Sequence, residues 1–187
     1  MKPRRLRIIG GDWRGRKIDV PAANSKLRPT PDAVRETLFN WIQDQIQGAR
    51  CLDLFAGSGA LGIEALSRGA DRVDFVEADP GTSRILQSNL ERLGAQPSVY
   101  TMDARRFVRQ IGGEWDVIFL DPPFRHAMLD EMVQSLFKHR CLTENARLYL
   151  ESEKNLPTVT LPEGWAMLRQ KQSGQVAYCL AGPTEPS

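Results

Sequence analysis

Residues 121–124 read Asp-Pro-Pro-Phe and come directly after the apolar run 117–120, which is typical of a buried strand. Proline has no backbone N–H, so two consecutive prolines leave a loop with carbonyl acceptors and few donors beside the Asp121 carboxylate. Such a loop suits a ligand that offers only donors, such as an exocyclic amino group, while an aromatic ring gives a planar base a face for stacking. The hypothesis is that this loop is catalytic, through Asp121, Pro122, Pro123 and Phe124. The alternative is a strand-terminating turn, in which Asp and Pro are common.

A glycine-rich loop follows an earlier apolar strand. Residues 53–62 read Asp-Leu-Phe-Ala-Gly-Ser-Gly-Ala-Leu-Gly, and the glycines let the backbone turn tightly into a helix and approach a ligand closely. Gly57, Gly59 and Gly62 satisfy the dinucleotide fingerprint, and Glu77 lies 20 residues after Gly57, where a ribose-binding acid is expected. The pattern alone leaves both a dinucleotide and S-adenosylmethionine open as the cofactor.

Three features favour S-adenosylmethionine. Asp53 precedes the glycine loop within the strand, where its carboxylate would face a cationic amino-acid end but would repel a pyrophosphate. The chain has no second substrate domain, which a dehydrogenase usually needs. The strand that ends before Asp121 brings the Asp-Pro-Pro-Phe loop to the same edge of the predicted sheet.

Further cofactor contacts are expected where the next strands end. Glu77 ends the second strand, so its carboxylate can accept hydrogen bonds from both ribose hydroxyls. Asp103 follows the third strand and can accept from an adenine amino group, although the same residue is also a good N-cap for the helix that follows it. The candidate cofactor-binding residues are Asp53, Phe55, Gly57, Gly59, Glu77, Asp103 and Ala104.

The pattern from residue 50 onward alternates between strands and helices. We predict strands at 50–55, 72–77, 98–102, 115–120 and 147–151, and helices at 60–68, 82–93, 104–111 and 127–137. Strands separated by helices of this length predict an α/β fold with a parallel sheet. An amphipathic helix at 33–47 precedes the sheet, and runs 165–171 and 175–181 around Ser173-Gly174 predict a final antiparallel hairpin.

The positive charge is concentrated at the amino-terminal end. Residues 1–35 contain ten Lys and Arg against three Asp, whereas the remainder carries a net charge of −5. A basic arm on an acidic body is typical of a polyanion-binding protein. Short β-type runs flank Gly10 and Gly11, which predicts a small hairpin. We expect that the remaining body would still fold and bind the cofactor if residues 1–20 were deleted. The candidate residues for binding nucleic acid are Arg4, Arg5, Arg7, Arg14, Arg16, Lys17, Arg28, Arg35 and Arg125. Arg28 and Arg35, together with Thr30, could instead line the methionine carboxylate of the cofactor; a solvent-exposed helix face is a further alternative for Arg35, and simple exposure is the alternative for Arg125.

Composition excludes several classes of protein. The longest apolar runs are far shorter than the roughly 18 residues needed to span a membrane, and the basic start lacks the apolar segment of a secretion signal. The three cysteines lie far apart, which matches no zinc motif and no disulfide framework, so we expect no metal site. These features predict a cytoplasmic protein, and we expect it to be a monomer.

The residues described above resemble class I S-adenosylmethionine-dependent methyltransferases, and the Asp-Pro-Pro-Phe sequence resembles the subset that methylates amino groups. The match extends over segments 9–17 (IGGDWRGRK), 27–41 (LRPTPDAVRETLFNW) and 174–178 (GQVAY), which resemble the bacterial 16S rRNA (guanine-966-N2)-methyltransferase family. The resemblance covers residues 5–181, and its amino-terminal part is the specific one.

This resemblance implies a Rossmann-like, seven-stranded, mostly parallel sheet whose last strands form the antiparallel hairpin. It implies S-adenosylmethionine as cofactor and one methyl group transferred to the 2-amino group of one guanine in 16S rRNA. The implied substrate is the assembled or assembling small ribosomal subunit, so neighbouring ribosomal proteins are implied contacts. We divide the chain into a basic extension, residues 1–27, and a methyltransferase domain, residues 28–187.

Two other functions fit parts of the pattern. One is an amino methyltransferase acting on adenine in DNA or RNA or on a protein glutamine, although the basic hairpin disfavours a glutamine substrate. The other is a non-catalytic RNA-binding module on the same scaffold. The presence of Asp53, Glu77 and Asp121 together disfavours that module.

Overall fold

The computed structural model describes residues 4–21, 30–122, 126–153 and 159–184. A seven-stranded sheet forms the body, with helices on both faces, and a two-stranded hairpin precedes it. In chain order the elements are β1 (Arg4–Arg7), β2 (Lys17–Val20), α1 (Asp32–Trp41), α2 (Gln43–Ile46), β3 (Arg50–Asp53), α3 (Ala60–Ser67), β4 (Arg72–Glu77), α4 (Pro80–Leu93), β5 (Ser98–Thr101), α5 (Ala104–Gln110), β6 (Trp115–Leu120), α6 (His126–Lys138), β7 (Leu142–Glu153), β8 (Trp165–Ser173) and β9 (Val176–Pro183).

The strand order in the sheet is β5-β4-β3-β6-β7-β9-β8. Strands β3 to β7 run parallel, whereas β9 lies antiparallel between β7 and β8. The order reverses between β3 and β6, and ligands of such sheets bind beyond the carboxyl ends of the strands at this switch point. The predicted α/β, Rossmann-like fold with a seven-stranded, mostly parallel sheet and a carboxyl-terminal antiparallel hairpin is confirmed.

Some element boundaries differ from the predicted ones. The helix predicted over 33–47 is divided into α1 and α2, because the backbone leaves the helical region at Ile42. Both Ile42 and Ile46 are buried in this arrangement, so the break serves packing. Strand β7 begins at Leu142 rather than at residue 147, and its pairing with β6 contains an irregularity between Trp115 and Val117.

The helices pack on both faces of the sheet and enclose an apolar core on each side of it. Strands β3, β4 and β6 are almost wholly buried, which explains why they read as continuous apolar runs rather than as alternating ones. Gly62 permits the close packing of α3 on this sheet, since a Cβ atom there would lie 2.3 Å from the Phe75 ring. Within the described residues, no helix is long and apolar enough to cross a membrane.

The amino-terminal hairpin β1-β2 is packed onto the body. Ile8 and Ile18 are each only 1% exposed and belong to the same apolar core as the helix α1 residues Leu38 and Phe39. The arm is therefore a structured hairpin, as the sequence indicates, and it shares the core of the body. The proposed boundary between residues 27 and 28 lies outside the described residues.

Candidate active site

The glycine loop between β3 and α3 has the backbone conformation that its sequence predicts. Gly57 and Gly59 have φ values of +54° and +86°, in the left-handed region that favours glycine. A Cβ atom on Gly59 would lie 2.4 Å from Leu86 Cδ1, whereas the space around Gly57 is open. Gly59 is thus required for packing, and Gly57 leaves its backbone accessible to a ligand.

Glu77, at the end of β4, holds this loop. Its Oε2 accepts a hydrogen bond from the Gly57 N–H at 2.8 Å, and its Oε1 accepts from the Asp79 N–H at 2.8 Å. Each carboxylate oxygen has a second lone pair, so Glu77 can also accept from a hydroxyl of a bound ligand. The side chain is half-buried, and its predicted contact with the ribose stays a prediction.

Asp53, at the end of β3, is 3% exposed and lies beneath the loop. Its Oδ2 accepts from the Gly62 N–H of α3 at 2.9 Å, which anchors the first turn of that helix. Burial raises the pKa of Asp53 to about 7, the Gly62 hydrogen bond opposes this shift, and the charge of Glu77 adds to it. A cation placed against Asp53 would stabilise the ionised form, so the carboxyl group is suited to a positively charged ligand group.

This pKa shift predicts a pH dependence of stability. Because Asp53 has a pKa of about 7 in the folded protein against an ordinary value of 3.8, the folded chain retains a proton that the unfolded chain releases. The free energy of unfolding should therefore fall as the pH rises from about 4 to about 7, by at most about 1.4 kcal/mol per pH unit for this one group. In Asp53→Asn the free energy of unfolding, measured by urea denaturation at several pH values, should fall less over this pH range. An unchanged slope would contradict the assignment.

Asp103 and Ala104 lie where β5 ends and α5 begins. Asp103 Oδ1 accepts from the Arg105 and Arg106 N–H groups at 2.9 and 3.2 Å, so the residue is an N-cap. The side chain is exposed, and within the described part of the chain its other carboxylate oxygen has no hydrogen-bond partner. The capping alternative is thus observed, and the predicted contact with adenine stays a prediction for Asp103 and for Ala104.

Asp121 follows β6 and faces the same cleft as Asp53 and the glycine loop. Residues from the hairpin and three loops line this cleft, namely Val20, Pro21, Thr30, Asp53, Phe55, Ala56, Gly57, Ser58, Ala60, Leu61 and Asp121. Burial, the charge of Glu151 and the charge of Asp53 raise the pKa of Asp121 well above its usual range, whereas a hydrogen bond with Thr30 opposes the shift. The carboxyl group is therefore a stronger base than an exposed aspartate.

Two residues beside Asp121 have no role in the prediction from sequence. Glu151, in β7, is 6% exposed, and Tyr149 donates a hydrogen bond from its hydroxyl to Glu151 Oε2 at 2.7 Å. Burial raises the pKa of Glu151, which also interacts with Thr30. The sequence did contain a signal for this residue. Glu151 is the last residue of the fifth predicted strand, and Asp121 directly follows the fourth.

Part of the predicted site lies outside the described residues: Pro123, Phe124, Arg125 and Arg28. Pro122 is described and buried. Phe55 is half-buried against the core beneath the cleft. The catalytic role of the Asp-Pro-Pro-Phe loop therefore stays a prediction, while Asp121 itself lies in the same cleft as Asp53 and Gly57.

The structure corrects the assignment of Arg35. Its side chain is 1% exposed, its Nη1 lies 3.3 Å from Glu64 Oε2, and its Nη2 donates to Asp32 Oδ1 at 2.7 Å and to the Arg7 carbonyl at 2.9 Å. Arg35 is thus neither an RNA contact nor part of a solvated helix face, because its charge is used inside the protein. Its Nε is the buried side-chain nitrogen that has no hydrogen-bond partner in the described part of the chain.

The other candidate RNA-binding residues of the hairpin are exposed: Arg4, Arg5, Arg7, Arg14, Arg16 and Lys17. Arg5 forms an ion pair with Asp19, and Arg16 donates to the Arg92 carbonyl, so these two are partly engaged with the protein. Among the described residues, Arg4, Arg14 and Lys17 have no ion-pair partner. These three side chains are therefore the ones most available to a polyanion.

The cleft is also joined to the hairpin through Asn89 of α4. Asn89 is 1% exposed; its Oδ1 accepts from the Asp19 N–H at 2.9 Å, and its Nδ2 donates to the Asp19 carbonyl at 2.9 Å and to the Ser58 carbonyl at 3.1 Å. One side chain therefore links β2 to the glycine loop. Sequence reasoning gave no indication of this residue.

Comparison with known proteins places this arrangement in a recognised group. A family model described as "Conserved hypothetical protein 95" matches residues 6–182. The chain is 47% identical over 176 residues to the Ribosomal RNA small subunit methyltransferase D of Escherichia coli K12, covering 94% of this chain and 88% of that protein. It is 44% identical over 181 residues to the Haemophilus influenzae protein of the same name, covering 94% and 92%. The solved structure of the putative methyltransferase yhhF from Escherichia coli superposes with a TM-score of 0.88 at 44% identity, covering 96% of this chain and 98% of that one.

Proposed function

The chain belongs to the conserved hypothetical protein 95 family and to the family of its small-subunit ribosomal RNA methyltransferase D relatives, and we propose that it methylates the 2-amino group of one guanine in 16S rRNA. At the coarser level it is an S-adenosylmethionine-dependent methyltransferase of small-subunit ribosomal RNA. The observation that supports the finer assignment is that Asp121, whose neighbour on the next strand is Glu151, lines the same cleft as the glycine loop.

The residues of the cleft fit S-adenosylmethionine. Asp53 supplies a buried carboxyl group suited to the cationic amino-acid end, Glu77 supplies acceptors for the ribose hydroxyls, and Gly57 leaves space at the backbone. Asp103 and Ala104 are proposed to meet the adenine. When bound, the cofactor supplies the methyl group and a good leaving group.

We assign the acceptor role to the loop that starts at Asp121. A guanine amino group is a poor nucleophile, because its lone pair is delocalised into the ring. Acceptors at the Asp121 carboxylate and the Pro122 carbonyl would hold both N–H bonds and favour a localised lone pair. Much of the rate acceleration would then come from positioning, which can contribute on the order of 7–11 kcal/mol.

Asp121 is also proposed to take the proton. The amino nitrogen becomes far more acidic as it gains the methyl group, so a strong base is unnecessary. The raised pKa of Asp121, caused by its burial and by the neighbouring Glu151 and Asp53 charges, nevertheless makes proton transfer to this carboxylate more favourable. The target base must leave its stack to reach this position, at a cost of a few kcal/mol. Stacking on Phe124 would offset roughly 1–3 kcal/mol of that cost.

The exposed cations of the hairpin are proposed to bind the rRNA backbone. The hairpin strand β2 ends at the cleft, since Val20 and Pro21 form part of its wall. RNA held by β1 and β2 would therefore lie next to the site of methyl transfer. The proposed substrate is the assembled or assembling small subunit, with neighbouring ribosomal proteins as further contacts, and the enzyme is proposed to act as a monomer.

The proposed reaction is tested by mapping rRNA from cells that lack the gene. Nuclease digestion and mass spectrometry should show one guanine in 16S rRNA without its 2-amino methyl group, and addition of the purified protein with labelled donor should restore it. Label in adenine or in a protein glutamine would support the alternative amino methyltransferases. Binding of RNA without any methyl transfer would support the non-catalytic module.

Replacement of Glu77 tests the cofactor site. Glu77→Ala removes the acceptor for the ribose hydroxyls and also leaves the Gly57 N–H without its partner, so donor affinity should fall by about 1–3 kcal/mol. Isothermal titration calorimetry measures this change. The exposed residue Glu91 provides a control, since Glu91→Ala lies outside the cleft and should bind the donor normally. Unchanged affinity of the Glu77 variant, or a preference for NAD, would reject the assignment.

Charge removal tests the hairpin. A triple variant with alanine at Arg4, Arg14 and Lys17 should bind 16S rRNA more weakly, and the slope of log K against log salt should become shallower by roughly 0.7–0.9 for each phosphate that is no longer neutralised. Filter binding at several salt concentrations gives this slope. Because these side chains make no ion pair among the described residues, the fold should be unaffected. An unchanged slope would show that these three cations do not contact phosphate.

A further inference from the structure

We propose that Glu151 is a specificity-determining residue that accepts a hydrogen bond from the N1–H group of the target guanine. This inference rests on the proposed function, because it assigns a second group on the same base. Asp121 would hold the 2-amino group, and Glu151 would hold its neighbour on the Watson–Crick edge. The pair would read two adjacent donors with two adjacent acceptors.

The sheet places these two carboxyl groups side by side. Strands β6 and β7 are parallel and in register, with Leu120 opposite Leu150, so Asp121 and Glu151 occupy the next position of each strand. Side chains at equivalent positions of neighbouring parallel strands point to the same face of a sheet. The charge of Glu151 accordingly acts on Asp121, and the Thr30 side chain interacts with both carboxyl groups.

The Glu151 carboxyl group is held in one orientation. The Tyr149 hydroxyl donates to Glu151 Oε2 at 2.7 Å, and Tyr149 is fully buried. The Tyr149 ring packs against Phe119 and Tyr178, with centroids 6.4 and 6.3 Å away. The buried tyrosine therefore holds the Glu151 carboxyl group in place, and the lone pairs that neither Tyr149 nor Thr30 engages are the acceptors it can offer to a ligand.

An acid pair of this kind, with Glu151 buried and Asp121 half-buried, suits a ligand that brings donors. Two neighbouring carboxyl groups disfavour each other's ionised form, and unpaired charge away from water is costly. The N1–H and 2-amino groups of guanine would give each carboxylate a hydrogen bond. Adenine has an acceptor at N1, and so does 2-aminopurine, which otherwise keeps the 2-amino group. At a pH above the raised pKa of Glu151, where its carboxylate is ionised, either of these bases would place a lone pair against it.

The comparison of guanine with 2-aminopurine, made both in the parent and in a Glu151 variant, therefore tests the role of Glu151, because 2-aminopurine lacks O6 as well as the N1–H and only the N1–H contact depends on this residue. The substrate is a small-subunit particle reconstituted with rRNA that carries either base at the target position. The parent enzyme should favour guanine in kcat/KM by about 10- to 100-fold, the factor expected for one hydrogen bond to a charged group. Labelled methyl transfer at equal particle concentrations gives the two values.

In Glu151→Gln this preference should shrink to within about threefold. The rate on guanine should fall by about 10- to 100-fold, because the amide offers a weaker acceptor, and 2-aminopurine should be favoured relatively, since the amide N–H can donate to its N1. The control is Glu144→Gln, which alters an exposed acid at the opposite end of β7. This control should keep both the rate and the preference of the parent.

A Glu151→Gln variant that keeps the full preference for guanine would overturn this inference. If that variant does not fold, Glu151→Asp is used instead: the shorter side chain should also lose most of the preference, and a full preference would reject the proposal. A parent enzyme that methylates no guanine at its 2-amino group would reject the proposed function itself. Whether the parent enzyme methylates the 2-amino group of guanine therefore distinguishes a failure of the proposed function from a failure of this inference.

Discussion

Asp121→Ala is expected to lower the rate of methyl transfer by at least about a hundredfold, in line with the loss of a positioned acid–base group. The substitution removes the acceptor that would hold the amino group and the group that would take its proton. Donor affinity should stay within about threefold of the parent, because the main proposed cofactor contacts lie at the ends of β3, β4 and β5. Single-turnover transfer of labelled methyl to small-subunit particles measures the rate, and calorimetry measures the affinity.

Two further variants separate the roles of Asp121. Asp121→Asn keeps an acceptor oxygen but cannot readily take a proton, so its rate should lie between those of the alanine variant and the parent. Asp71→Ala removes an exposed acid that precedes β4, at the opposite edge of the sheet, and should leave the rate unchanged. A near-normal rate for Asp121→Ala on intact particles would mean that the Asp-Pro-Pro-Phe sequence is only a turn.

The parallel sheet and the glycine loop could be predicted because their signals are local. Apolar runs, glycine positions and strand ends depend on residues close in sequence, and these signals are enough to predict that Asp53, Gly57 and Glu77 lie at one edge of the sheet. In the structure Asp53 and Gly57 line one cleft, and Glu77 accepts a hydrogen bond from the Gly57 N–H. The same local reasoning would have included Glu151 if the end of the fifth strand had been considered together with the fourth.

Contacts between distant segments could not be predicted in this way. Arg35 is separated from Glu64 by 29 residues, and helix periodicity alone does not distinguish a buried arginine from one that faces solvent. Gly10 and Gly11 also have a role that composition did not indicate. A Cβ on Gly11, whose φ is +73°, would lie 1.7 Å from the Ser67 carbonyl oxygen. The glycines allow the hairpin to pack closely on α3, so the hairpin is part of the packed fold.

Glu64 is expected to contribute most to stability among the charged residues of this contact. It is fully buried, and it accepts from the Ile9 and Gly10 N–H groups at 2.9 and 2.7 Å, from Arg35 Nη1 at 3.3 Å and from Arg68 Nε at 2.9 Å. Glu64→Ala would leave two backbone donors and the buried guanidinium of Arg35 without this partner. The free energy of unfolding should fall by about 3–5 kcal/mol, the cost of breaking a buried ion pair from one side.

Urea denaturation at neutral pH measures this loss, and Glu36→Ala, an exposed substitution on α1, should change stability by no more than about 0.5 kcal/mol. The same contact argues against the prediction from sequence that the arm can be deleted without effect on the folding of the body. Deleting residues 1–20 would uncover the apolar surface beneath Ile8 and Ile18 and remove both backbone donors to Glu64, so we expect the truncated body to be destabilised. A Glu64→Ala protein as stable as the parent would show instead that the hairpin packs on the body without stabilising it, and deletion would then be a fair test of RNA binding.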